Sequence, residues 1–236
     1  MDYWSERLSA NCSLRGTGHI SYSEGYNRWL YRAKRHALRR ALRGVRPPFR
    51  ALDVGSGVGW VVQELITRGA DVDGCDIAEV AVVGLRERFP KATFFQATLG
   101  ASPLPASDRS YDVITLLDVA YHITEDAAWC AGVGDLGRLL RPGGRLVVSD
   151  GLGLETRAPA SHVRFRSRRE WELAAASAGL RLLRVDPYFR WLSRDRTASR
   201  LATLPDGWRG AIEYGLERIA PMTPHMRCAV FTSLTS

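Results

Sequence analysis

His122 and Asp118 stand four residues apart, directly after the run Tyr111-Asp-Val-Ile-Thr-Leu-Leu117. An imidazole titrates near neutral pH, so it suits a general base that takes a proton from a hydroxyl as a new bond forms. The alternative for His122 is a structural hydrogen bond within its loop, or a contact to a charged substrate. Asp118 reads equally as a ligand contact or a turn cap. Much earlier, Ala51-Leu-Asp-Val-Gly-Ser-Gly-Val-Gly-Trp60 gathers three glycines into one short loop, and Cys75-Asp76-Ile77 follows about twenty residues on. Such a loop lets a ligand approach the main chain, and the N–H groups of the next helix point into the same crevice. An acid at Asp76 can accept two hydrogen bonds from a ribose diol. A dinucleotide loop, Gly-x-Gly-x-x-Gly, needs its last glycine to pack helix against strand; counted from Gly55, that place holds Trp60. The plain alternative is a tight strand–helix turn.

These residues need a scaffold that brings distant loops to one edge. Residues 50–54, 70–76, 93–96, 111–117, 145–149 and 180–185 read as strands, with 227–233 as the last. Helices are expected over 59–68, 79–89, 127–140 and 171–178, with one more over 208–219. The run 111–117 is almost continuously apolar, as a parallel strand buried on both faces should be. This alternation predicts an α/β fold, a doubly wound and mostly parallel seven-stranded sheet. A helical N-terminal cap is expected over 1–49 and a core over 50–186. Residues 187–236 would be an insertion and a final strand completing the same domain. No internal repeat or low-complexity tract interrupts the chain of 236 residues.

The net charge of +8 is unevenly placed. Residues 1–50 hold 11 Lys/Arg against Asp2, Glu6 and Glu24, whereas the rest of the chain holds 22 basic and 22 acidic residues. Trp29, Leu30, Ala33, Ala37, Leu38, Ala41 and Val45 follow helical spacing among these arginines, which predicts an amphipathic helix with a solvated basic face. Attraction of an anionic substrate is a second reading, and a nucleic-acid or membrane surface a third. No run of eighteen apolar residues suggests a membrane span, and the N-terminus lacks a secretory h-region. Cys12, Cys75, Cys130 and Cys228 are scattered, as expected of reduced thiols in a cytoplasmic protein.

The order of these pieces resembles the class I S-adenosylmethionine-dependent methyltransferases over roughly residues 50–186. The Asp53-Val-Gly-Ser-Gly-Val-Gly59 loop, Asp76, the Tyr111-Asp112-Val113 strand entry and Leu140-Arg-Pro-Gly-Gly-Arg-Leu-Val-Val148 carry the likeness. Asp118-Val119-Ala120-Tyr121-His122-Ile123 also resembles a signature of bacterial small-molecule members. The resemblance implies S-adenosylmethionine as cofactor, bound by Asp53, Gly55, Ser56, Gly57, Asp76, Ile77, Thr98, Leu99, Leu117 and Asp118. Tyr26 and Tyr31, with Tyr22, would close over it, or else pack on the sheet. One departure is Thr98, which stands where the family usually offers an Asp to the adenine amino group. A hydroxyl accepts a hydrogen bond there without charge assistance.

The expected activity is methyl transfer to a small-molecule acceptor, at a hydroxyl of a sugar, glycolipid or natural product, with His122 as general base. No metal is expected. Asp118, His122 and Asp150 are metal-compatible types, but their spacing is not diagnostic. His162, Arg164 and Arg166 read as a solvated basic stretch or as acceptor-site lining. A nucleic-acid methyltransferase is disfavoured, because Asp118-Val-Ala-Tyr121 lacks the proline-rich edge used on exocyclic amines, and neither Cys130 nor Cys228 follows a proline. A cofactor-binding protein without methyl transfer is the other alternative. Neither the acceptor nor the oligomeric state is fixed by the sequence.

Overall fold

Burial is almost continuous along the central strands, and because successive side chains point to opposite faces the sheet has two apolar faces, each with its own helices. The computed structural model describes residues 6–7, 17–19, 21–193, 201, 203–219 and 222–234. The central sheet contains β1 (Phe49–Val54), β2 (Ala70–Asp76), β3 (Thr93–Gln96), β4 (Tyr111–Leu116), β5 (Leu140–Asp150), β8 (Leu180–Phe189) and β9 (Met226–Ser233). Their spatial order is β3-β2-β1-β4-β5-β9-β8. β1 to β5 run parallel, and β9 lies antiparallel between β5 and β8. The order reverses between β1 and β4, so the loops leaving their carboxyl ends diverge and open a crevice, where ligands bind in such sheets.

Ala51, Val113, Val147 and Val230 face α1 (Glu24–Ala41), α2 (Trp60–Ile66) and α3 (Glu79–Arg88) through Leu38, Leu65 and Leu85. On the other face Leu52, Ile114, Leu146 and Phe231 meet Trp129 and Leu136 of α4 (Asp126–Leu139) and Trp171 of α5 (Arg168–Ser177). α1 starts at the Ser23 cap, whose hydroxyl accepts the Tyr26 N–H. Its buried stripe also packs on α6 (Asp206–Ile219), where Gly210 is so close that a β-carbon would sit 2.8 Å from Trp29 Cδ1.

Several expected boundaries shift for identifiable reasons. α1 ends at Ala41 rather than running on through Val45, because Gly44 takes a left-handed φ of 83° and Val45 N–H closes a turn on the Leu42 carbonyl. β5 begins at Leu140, which pairs with Tyr111 across a bulge. β8 continues to Phe189 through Pro187, which an edge strand tolerates because it need not donate on its outer side. Missing from the sequence reading is a ribbon outside the sheet, β6 (Arg157–Ala160) and β7 (Val163–Phe165), paired only with each other. The N-terminal stretch read for a secretory signal lies almost wholly outside the described residues, as do Cys12 and residues 194–200 of the insertion.

Candidate active site

A cavity of about 410 Å³ opens at the carboxyl edge of the sheet, between the loops after β1 to β4 and the inner face of α1. Its floor is the glycine loop. Gly55 and Ser56 donate their N–H groups to the Cys75 carbonyl at 2.8 and 3.0 Å, tying the loop to β2. Gly55 has φ 77°, and a β-carbon there would lie 2.2 Å from Val119 Cγ2, so only glycine fits. Asp76 is held from both sides: Oδ2 accepts Gly57 N–H at 2.8 Å and Oδ1 accepts Ala78 N–H at 2.9 Å. Ile77, Thr98 and Leu99 form the wall beyond it. Asp53 lies beneath the floor rather than in the lining. Its Oδ1 accepts from Thr115 at 2.7 Å, and among the described residues its buried Oδ2 has no hydrogen-bond partner. Burial pushes the Asp53 carboxyl up to about 7.

The opposite wall is assembled from four separate elements around Asp118, which closes β4 in a left-handed conformation, φ 62°. Its N–H donates to Ser149 Oγ at 2.7 Å, and that hydroxyl donates back to Oδ1 at 3.1 Å. Lys34 Nζ of α1 sits 2.7 Å from Oδ2, and Tyr188 of β8 donates to the same oxygen at 3.1 Å. Burial opposes the Lys34 charge, but Asp118 and Tyr31 outweigh it and hold the ammonium above its usual pKa. Nζ also lies 4.3 Å from the Tyr31 ring centroid, a cation–π contact. Burial, then the Asp118 charge, raises both Tyr121 and Tyr188, which stay neutral phenols.

His122 ends the short 3₁₀ turn Ala120–His122 and lines the same cavity. Its Nδ1 is 3.1 Å from the His162 carbonyl. A carbonyl only accepts, so Nδ1 carries the proton and Nε2 of the neutral ring carries the lone pair. Burial lowers the His122 pKa, against the raising effects of that carbonyl and of Asp118; His162 and Arg7 add to the lowering.

Of the residues singled out by sequence, Gly55, Ser56, Gly57, Asp76, Ile77, Thr98, Leu99, Leu117, Asp118, His122 and Tyr31 all border the cavity. Tyr26 does not. It is fully buried, stacked on Tyr22 with ring centroids 4.1 Å apart, and its hydroxyl bonds Glu213 of α6. Tyr26 and Tyr31 are five residues apart on one helix, about 140° around its axis, so they cannot face the same side. Asp150 is likewise engaged elsewhere: it accepts from Trp171 Nε1 at 2.8 Å and from the Gly151 and Arg166 N–H groups, turned toward α5. Among the described residues no group of three or more His, Cys, Asp or Glu could hold a metal. Arg166 is not solvated but buried, over the Trp129 ring at 4.3 Å. Cys75 and Cys228 are buried free thiols and Cys130 is exposed.

Sequence reasoning missed Lys34, Ser149 and Tyr188. One signal was available for Lys34: of the 33 basic residues, only Lys34 and Lys91 are lysines. A chain that uses arginine almost everywhere keeps a compact ammonium at this position.

The comparisons with known proteins bear on this geometry. A family model described as a methyltransferase domain matches residues 51–144. The chain is similar to a demethylmenaquinone methyltransferase of Beutenbergia cavernae, 34% identical over 128 residues, which cover 54% of this chain and 49% of that protein. It is also similar to a ubiquinone biosynthesis O-methyltransferase of Vibrio cholerae, 31% identical over 104 residues, covering 42% of this chain and 41% of that protein. The chain thus spans about half the length, or less, of these curated relatives. In fold it is similar to a Haloferax volcanii methyltransferase solved in complex with the Trm112 activator. That match has TM-score 0.69 and 20% identity, and covers 100% of this chain and 99% of the other. The glycine loop, the acid ending β2 and the sheet order agree with that match: residues 51–144 match a methyltransferase domain, and they sit in a sheet of the kind seen in S-adenosylmethionine-dependent methyltransferases.

Proposed function

We propose that the protein transfers the methyl group of S-adenosylmethionine to a hydroxyl oxygen of a small-molecule acceptor, with His122 as general base. The observation that carries this reading is the His122 imidazole, held as one tautomer inside the cavity bounded by the glycine loop.

The residues present fit the cofactor. Asp76 offers a rigid carboxylate for a ribose diol, and Ile77 and Leu99 offer apolar faces for an adenine, with the Thr98 hydroxyl at its edge. The partnerless Asp53 Oδ2 beneath the loop suits the ammonium of the methionine end, directly or through water. When bound, the cofactor supplies a methyl group already activated on sulfonium, so alignment does most of the work. His122 Nε2 accepts the acceptor's hydroxyl proton, and its lowered pKa keeps it unprotonated at neutral pH. Lys34, Asp118 and Tyr188 hold the opposite wall close to electrically neutral.

Among the described residues the only Lys or Arg that lines the cavity, Lys34, is already paired with Asp118. That supports an uncharged acceptor over an anionic one and over a nucleic acid. Among the described residues no helix is long and apolar enough to cross a membrane. The Vibrio cholerae relative is named as an O-methyltransferase, which agrees with an oxygen acceptor. The test is release of S-adenosylhomocysteine with a panel of phenols, sugars and amines, run beside His122→Gln. Phenol or sugar turnover that falls by about 10²–10⁴ in kcat in the variant supports the reading. Turnover of amines alone, or a variant that keeps most of its kcat, would refute it.

A further inference from the structure

We propose that the β6–β7 ribbon is the positioning element for His122, acting through the main-chain carbonyl of His162 to fix the imidazole with its proton on Nδ1. This rests on the general-base reading above, and its test separates the two.

The ribbon adds no strand to the central sheet and pairs only with itself, and every residue of β6 is exposed. An isolated two-stranded ribbon is marginal in water, so its placement comes from docking. The docking contacts converge on the segment that carries His122. The Phe165 ring lies 4.9 Å from the Tyr121 ring, centroid to centroid, next to His122 in the chain. Gly151 is crossed so closely that a β-carbon there would sit 2.8 Å from Phe165 Cβ. Arg164 and Arg166, two apart and so on one side of the strand, both reach Asp126, at 2.9 and 3.1 Å. Arg166 Nη2 also lies 3.5 Å from the Thr124 carbonyl, and its N–H donates to Asp150. Residues 123–125, part of the cavity wall, therefore lie between two points held by the ribbon: His162 O on His122 and the arginines on Asp126.

The consequence is chemical. A neutral histidine side chain in water favours the proton on Nε2. Here the carbonyl reverses that preference and leaves Nε2 as the basic nitrogen. His122 faces Asp118 from the end of β4, His162 from the ribbon and Arg7 from the N-terminal segment. None of these side chains supplies what the carbonyl does, an acceptor that cannot donate at Nδ1.

The tautomer is read directly by nitrogen-15 spectra of histidine-labelled full-length protein, with His122 assigned by its loss in His122→Gln. The expected result is a neutral His122 with Nδ1 protonated. Phe165→Ala should shift it toward the Nε2-protonated form, leave the dissociation constant for S-adenosylmethionine within about twofold, and lower kcat by about tenfold. Phe165→Leu should restore the wild-type spectrum. Arg164→Gln, a half-exposed position, provides the same test if Phe165→Ala fails to fold. A wild-type His122 protonated on Nε2, or one whose tautomer is unmoved in both Phe165→Ala and Arg164→Gln, would overturn the proposal even if His122 is the base. An active His122→Gln would refute the base reading while the spectra still report whether the ribbon sets the tautomer.

Discussion

The two walls of the cavity are built in opposite ways. The wall of the glycine loop, Asp76, Ile77 and Leu99 comes from consecutive strand ends and is fastened by main-chain N–H groups that donate to the Cys75 carbonyl and the Asp76 carboxylate, within neighbouring strand–helix units. The wall around Asp118 is fastened by side chains from α1, β4, β5 and β8, with the β6–β7 ribbon behind His122. The first wall is a local property of the chain. The second exists only once the whole sheet has closed. The local wall should respond one residue at a time, whereas the assembled wall should fail as a unit.

The sharpest break is therefore Lys34→Met. It leaves the Asp118 carboxylate, 18% exposed, with hydroxyl partners and no cation among the described residues. Loss of one partner of a buried pair costs about 3–5 kcal/mol of stability. Adding Asp118→Asn should return most of it, because the uncompensated charge goes and Asn tolerates the left-handed backbone at φ 62°. Urea unfolding of the two single variants and the double variant reads this coupling; additive losses would mean that the wall is not a unit.

On the local wall, Asp76→Asn should act on binding as well as on the loop that it holds. It keeps the shape of the side chain but makes one position a donor where Gly57 and Ala78 present N–H groups. An expected loss of about 1.5–3 kcal/mol corresponds to a dissociation constant for S-adenosylmethionine weaker by roughly 10- to 100-fold. Calorimetry of the cofactor alone checks it, and an unchanged constant would remove Asp76 from the cofactor site.

The Asp53 carboxyl beneath the glycine loop and the His122 imidazole have pKa values shifted in opposite directions, up and down respectively. The Asp53 carboxyl has a folded pKa raised to about 7, so its contribution to stability is full below its unfolded value and is lost as pH rises through about 7. A cofactor ammonium favours the ionised carboxylate, so S-adenosylmethionine should bind more tightly as pH rises through that range, and Asp53→Asn should flatten the dependence. The His122 pKa is lowered, so kcat should rise with pH along an acid limb centred below 6.5 and stay level above it. A common midpoint for binding and kcat would contradict the assignment of separate groups.

How much was legible follows the same division. The strand ends and the reversal between β1 and β4 are encoded in short apolar runs and glycine punctuation, so the sheet and the first wall could be read directly. Tyr31 was found, but Tyr26 was grouped with it because chain proximity was weighed and the 100° step of a helix was not. Tyr188 and Ser149 carry no motif. They meet Asp118 because β5 lies beside β4, and β8, two strands further on, runs the same way and ends at the same carboxyl edge, a fact of topology rather than of local sequence. The ribbon was missed since Arg157-Ala-Pro-Ala160 has neither the alternation nor the β-propensity of a strand, and its docking residues read as a basic surface. Arg166 shows why that reading failed: its guanidinium lies over an aromatic ring, a placement that charge counting does not reveal.

The smallest expected effect probes Thr98, where the local wall departs from the pattern that it resembles. Thr98 ends the wall beyond Ile77 as an exposed hydroxyl on the loop after β3. A carboxylate there would accept the same hydrogen bond with charge assistance, worth about 1 kcal/mol over the neutral bond. Thr98→Asp should therefore tighten S-adenosylmethionine by about fivefold. The gain should be confined to the dissociation constant, since none of the hydrogen bonds or ion pairs that hold Asp118 involves Thr98. An unchanged constant would place adenine recognition on the apolar faces of Ile77 and Leu99 and on main-chain groups instead. A change in kcat with no change in binding would mean that the two walls are coupled through the bound cofactor, and the contrast between them would then hold for folding but not for catalysis.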